Sequence, residues 1–242
     1  MVHLLDTSRE RSYQNSQLNR TARKRVVTRK INPARASQAI GPITPGCEIF
    51  GVSKGQFSLL EIIEHILLEI GPSDLLVSTW TVGGADIRHF GILMEEDLIL
   101  SAKWLIDSSF PERQPEYCSQ LLDRFGPGSI TCTANHAKFV LLANHPWSIC
   151  LRTSMNLNLN RRLETYEISD DPEMMSFLVD LAKAAFKDGY SVSQTLKNSD
   201  RAYKSVNNIM GQCKVPDKTV YTSATSTKGQ VKFDQAHTQL RF

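Results

Sequence analysis

An α/β domain built on a mixed β-sheet, with helices on both of its faces, is what the 242-residue sequence predicts. Three observations carry this: helix-like and strand-like apolar patterns alternate through the first half, strand-like runs crowd the middle, and 41% hydrophobic residues suffice for a core. Alternation argues for strands joined by helical crossovers, whereas crowding argues for antiparallel neighbours, so the sheet is expected to be mixed.

The elements follow in order. The first 45 residues are polar, rich in Ser, Asn, Gln and Arg, and run into Gly41-Pro42 and Pro45-Gly46. They read as a flexible basic arm and a turn-rich linker. Residues 57–70 place Leu59, Leu60, Ile63, Ile66, Leu67 and Ile70 on one helical stripe, which Gly71-Pro72 ends. Residues 74–82 are β-rich and run into Gly83-Gly84. A helix over 85–95 and a buried strand over 97–106 come next. Residues 115–125 open on Pro115 and stop before Gly126, the punctuation of a short helix. Strands are expected over 129–133, 136–143 and 147–153, then a shorter one over 164–169. Asp171-Pro172 opens a helix to about residue 187, closed by Asp188-Gly189. A weaker helical pattern spans 191–211, and residues 214–242 read as a polar tail. The chain thus divides into an arm (1–45), a folded domain (46–213) and a tail (214–242), without internal repeats.

Several function classes drop out. No apolar run nears the roughly 20 residues needed to cross a bilayer. Residues 1–11 lack the charged-then-apolar order of a signal peptide. A cytoplasmic protein without a membrane partner is therefore expected. The five cysteines, Cys47, Cys118, Cys132, Cys150 and Cys213, are scattered and form no Cys-x-x-Cys pair, which argues against a disulfide framework and a zinc knuckle. With no carboxylate or His/Cys cluster at ligand spacing, neither a metal nor a cofactor is expected. The net charge of +3 is unevenly placed, because nine Lys/Arg within residues 1–45 face only Asp6 and Glu10. The densest stretch holds Arg20, Arg23, Lys24, Arg25, Arg29 and Lys30. Such a cluster suits polyanions, since each cation that meets a phosphate releases condensed counterions, although a solvated tail accounts for it equally well.

The chemistry-bearing residues lie in the middle of the chain. His136 and Lys138, two apart on an expected strand, would share one face. Ser154 and Asn156 repeat that spacing at the end of the next strand, and Glu164 follows. One at a time each has a plainer explanation: a hydrogen-bonded filler histidine, an exposed lysine, a half-exposed polar strand, a surface ion pair of Glu164 with Arg161 or Arg162. Together they supply a nucleophile or proton carrier, a fixed cation and two neutral hydrogen-bonding groups, which suits a phosphodiester.

His136-x-Lys138, the Ser154-x-Asn156 strand end and Glu164 resemble the HxK(x4)D…GSxN…E signature of the phospholipase D superfamily. The resemblance rests on residues 129–168 and extends, by element order, back to residue 57. It implies one half of that fold, with residues 46–213 as the catalytic domain. By the same resemblance His136 would be the nucleophile that forms a phosphohistidine. Lys138 and Asn156 would hold the phosphoryl oxygens, and Ser154 and Glu164 would orient the histidine. Three positions depart from the signature: Ala143 stands at the Asp, Thr153 stands at the Gly, and Glu164 follows Ser154 closely enough that Glu167 is an alternative. Family chemistry uses two histidines, and His3, His65, His89, His145 and His237 lack the Lys and Asn companions, so a homodimer pairing two copies of His136 is implied. The basic arm favours nucleic acid, DNA or RNA, as the partner, and hence a metal-independent nuclease. A catalytically silent nucleic-acid-binding protein of the same fold is the alternative, and a phospholipase is a third reading.

Overall fold

The computed structural model describes residues 34–158 and 161–189. The basic stretch from Arg20 to Lys30, Asn160, the helix expected over 191–211, Cys213 and the tail lie outside those residues.

Seven strands, β1 (Glu48–Ser53), β2 (Ser73–Thr79), β3 (Ile99–Asp107), β4 (Ile130–Thr133), β5 (Phe139–Ala143), β6 (Ser148–Thr153) and β7 (Glu164–Asp170), form one sheet. Their order is β1-β7-β6-β5-β2-β3-β4. The helices are α1 (Ala36–Ile40), α2 (Leu59–Ile70), α3 (Gly84–Glu95), α4 (Phe110–Arg113), α5 (Pro115–Phe125) and α6 (Pro172–Asp188). The sheet is mixed for the expected reason. β2, β3 and β4, which helices connect, run parallel. β5, β6 and β7 pair antiparallel with their neighbours, and so does β1.

Alternation along the central strands divides the core between two layers. Leu75, Val77, Trp104, Ile106, Val140, Leu142, Ile149 and Leu151 face a layer containing α2, α3 and α5. Leu76, Phe139, Leu141, Ala143 and Cys150 point the other way, onto Met175, Leu178, Val179 and Ala182 of α6. Helix ends follow local chemistry. Ser58 and Glu61 close a reciprocal capping box on α2, with the Glu61 amide donating to Ser58 Oγ at 3.2 Å and the Ser58 amide to Glu61 Oε2 at 2.7 Å. Asp171 accepts the amides of Glu173 and Met174 at the start of α6. No helix among the described residues is long and apolar enough to cross a membrane. Cys47, Cys118, Cys132 and Cys150 are buried thiols outside any disulfide among the described residues, and burial pushes the Cys132 thiol up to about 12.

Three features depart from the sequence reading. The folded region extends N-terminal of the boundary at residue 45: Ala36 and Ile40 of α1, together with Ile43, are buried in the core. His65 Nε2 lies 2.8 Å from the Gly41 carbonyl, and the Gly46 amide donates to Asp170 Oδ2 at 2.9 Å, so long-range bonds hold this segment. β1 is an edge strand with no counterpart in the expected elements, and it runs against β7 from Glu48↔Ser169 to Ser53↔Glu164. Finally, β5 begins at Phe139, so His136 and Lys138 are on the loop ahead of the strand and not on it. The ladder to β2 stops at Ser78↔Phe139, and in the preceding loop side chains bond both the amide and the carbonyl of Ala137.

Candidate active site

The topology brings five chain ends to one edge of the sheet. β2 leaves at Thr79, β5 enters at Phe139 opposite Ser78, and β6 leaves at Thr153. β7 enters at Glu164 beside the last residue of β1. This is the carboxyl end of the parallel strands, where open α/β sheets gather ligands. A cleft of about 540 Å³ opens there, and His136, Lys138, Ser154, Asn156 and Glu164 all line it, with Trp80, Thr153 and Arg162.

The loop carrying His136 is fastened on both sides of that residue. Asn135 is buried, and its Nδ2 donates to Ser78 Oγ at 3.1 Å and to the Leu105 carbonyl at 3.0 Å. Its Oδ1 accepts the Ala137 amide at 3.1 Å, and its own amide donates to Asp107 Oδ2 at 3.1 Å. Ser78 Oγ in turn donates to the Ala137 carbonyl at 2.9 Å. One asparagine thereby ties the histidine loop to β2 and β3.

Lys138 Nζ donates to the His136 carbonyl at 2.8 Å and lies 3.3 Å from His136 Nδ1 and 3.5 Å from Nε2. Burial lowers the Lys138 pKa, opposed by the negative charges of Glu164 and Asp107. Ser154 Oγ donates to Glu164 Oε2 in a short bond and accepts the Thr165 amide at 2.9 Å. Thr153, at the signature's Gly position, donates from Oγ1 to the Thr165 carbonyl at 2.7 Å and accepts the Met155 amide at 3.0 Å. Its hydroxyl therefore clamps β6 to β7. Beyond it, Leu157 bridges to Val82 and its carbonyl accepts the Gly83 amide at 2.7 Å, which holds the Asn156 segment against the loop after β2.

All five expected residues line this one cleft. Glu167 is paired with Arg152 at 2.6 Å, whereas Glu164 is in the cleft on Ser154. Ala143 ends β5 five residues beyond Lys138, about 17 Å away along an extended strand. It packs in the layer under α6. The neighbouring Asn144 donates to the carbonyls of Ile70 and Pro72 at 2.9 and 3.0 Å. The departure at position 143 thus falls at the opposite end of the sheet from the cleft. Among the described residues His136 is the one histidine lining the cleft, while His65 is bound to Gly41 and His89 lies 3.5 Å from Glu64.

Sequence reasoning missed Trp80, Asn135, Asp107 and Arg113. A signal existed for Trp80, which directly follows a β-rich run and precedes Gly83-Gly84, hence sits at a strand's carboxyl end.

Neither a family model nor a curated protein matches the sequence. Among solved structures it is similar to Nuc from Salmonella typhimurium, a phospholipase D family member, at 11% identity and TM-score 0.44, over 60% of this chain and 96% of that one. NucT from Helicobacter pylori gives 11% identity and TM-score 0.43, over 59% of this chain and 99% of that one. A phosphatidylserine synthase from Haemophilus influenzae gives 14% identity and TM-score 0.41, over 68% of this chain and 44% of that one.

Proposed function

We propose that the chain is a phosphodiesterase that cleaves nucleic acid through a phosphohistidine formed on His136, acting as a homodimer. The convergence of His136, Lys138, Asn156 and the Ser154–Glu164 pair in one cleft carries this reading. A ring nitrogen of neutral His136 attacks phosphorus and forms an N–P bond as the bond to the leaving oxygen breaks. The protonated His136 of a second copy gives its proton to that oxygen. Water then attacks the phosphohistidine, losing its proton to the second histidine as the N–P bond breaks. Lys138 and Asn156 hold the non-bridging oxygens, whose charge grows in the transition state. Ser154 and Glu164 position the histidine. Nucleic acid is favoured over lipid by the basic cluster Arg20, Arg23, Lys24, Arg25, Arg29 and Lys30, which would raise the local concentration of a polyanion.

The test is cleavage of plasmid and single-stranded oligonucleotides in EDTA, with His136→Ala and Lys138→Ala in parallel and short-chain phospholipid as a control substrate. Wild-type cleavage that vanishes in His136→Ala supports the reading, and cleavage that persists in that variant overturns it. Salt-sensitive binding without turnover would give the silent nucleic-acid binder instead.

A further inference from the structure

We propose that Trp80, clamped by Arg113, is a stacking platform for an unpaired nucleobase beside the scissile phosphate, so that single-stranded nucleic acid is the preferred substrate. The proposal rests on the phosphodiesterase reading of the cleft.

Trp80 stands out by its surroundings. The cleft is lined mainly by groups that hydrogen-bond or carry charge, yet this large, partly buried aromatic ring lines it among them. Its centroid lies 6.1 Å from that of His136, with the two rings tilted by 57°. A phosphate held at His136 and Lys138 would therefore place an adjoining base within reach of the indole.

The ring is also held in advance. The Arg113 guanidinium lies 3.8 Å from the ring centroid. Arg113 itself is not among the residues that line the cleft. Arg113 donates from Nη2 to the Trp80 carbonyl at 3.1 Å and from Nε to Ser109 Oγ at 2.8 Å. Ser109 donates in turn to Asp107 Oδ1, and Asp107 Oδ2 accepts the Asn135 amide. One carboxylate thus fixes both the loop that carries the nucleophile and the arginine over the Trp80 ring. A ring positioned before binding loses little freedom when a base arrives. Stacking needs only a π-face, so the site is tolerant of base identity. It does require a base free of its own stack, which a single strand supplies and a duplex supplies only after paying for extrusion. An acyl chain has no use for a planar platform.

The experiment compares a single-stranded oligonucleotide with an abasic oligomer of equal length and charge. Cleavage is measured as kcat/KM, and binding as Kd on the His136→Ala background by fluorescence anisotropy. Wild type should prefer the base-bearing strand, Trp80→Ala should reduce that preference by about tenfold, the scale of one base–aromatic stack, and Trp80→Phe should restore most of it. An unchanged preference in Trp80→Ala overturns the platform. So does a Phe variant that fails as badly as Ala, because that result marks a structural role. If no substrate turns over, the phosphodiesterase reading is what fails, and the binding preference alone then supports or overturns the platform.

Discussion

Lys138 is under two opposed influences whose balance is measurable. Burial disfavours its ammonium and lowers the pKa, and the carboxylates of Glu164 and Asp107 only partly restore it. On the proposed mechanism the protonated form holds a phosphoryl oxygen, so activity should fall as pH rises through the Lys138 pKa. That alkaline fall is expected below the ordinary lysine value of 10.5. Lys138→Arg should lower the plateau but move the fall upward, because a guanidinium stays charged throughout. A pH–rate profile of both proteins checks this, and a wild-type profile that stays flat beyond 10.5 contradicts it. On the proposed mechanism Asn156 holds a phosphoryl oxygen, so Asn156→Ala should cost kcat about 10²–10³-fold, with the melting temperature held. These residues were legible in the sequence because reactive types at fixed short spacing need no knowledge of the fold. Asn135 was not: its partner Ser78 is 57 residues away, and only the β2–β5 pairing makes them neighbours.

At the scale of elements, the histidine loop and the start of α6 offer a controlled comparison. Asn135→Ala deletes bonds to Ser78, Leu105 and Ala137, the first two buried, at a cost of about 2 kcal/mol. The same change frees the loop on which His136 rides, so kcat should fall together with stability. Asp171→Ala removes the cap of α6 at about 1 kcal/mol, but β7 separates it from the cleft, so the melting temperature should drop with kcat unchanged. Denaturant midpoints and steady-state rates on the two variants separate these outcomes. Equal loss of kcat in both would mean that stability, not loop position, governs the rate. The helices were readable from their caps and stripes, and α5 falls on its expected residues. β1 was hidden by its own composition. Gly51 interrupts it, and Phe50 and Val52 are 57% and 51% exposed on the sheet edge, so neither alternation nor an apolar run announces a strand. The glycine is nonetheless needed, because a Cβ there would lie 2.1 Å from the Tyr166 ring that crosses it.

For the whole molecule, the decisive quantity is the number of histidines per reacting phosphate. In the proposed reaction one imidazole attacks and another protonates the leaving oxygen. The described part of this chain brings one histidine to its cleft. If the second comes from another copy across a twofold axis, every active site contains His136 from both chains. Mixing wild-type and His136→Ala chains in equal amounts, with free exchange, then leaves about one dimer in four with both histidines. Activity per wild-type chain should fall to about half, because the other wild-type chains are tied up in silent hybrids. A chain that completes its own site would show no such fall, whatever its oligomeric state. Sedimentation of the same mixtures verifies that exchange has occurred, so an undiminished rate in exchanged hybrids would remove the shared site and leave His136 to work with a proton donor from its own chain.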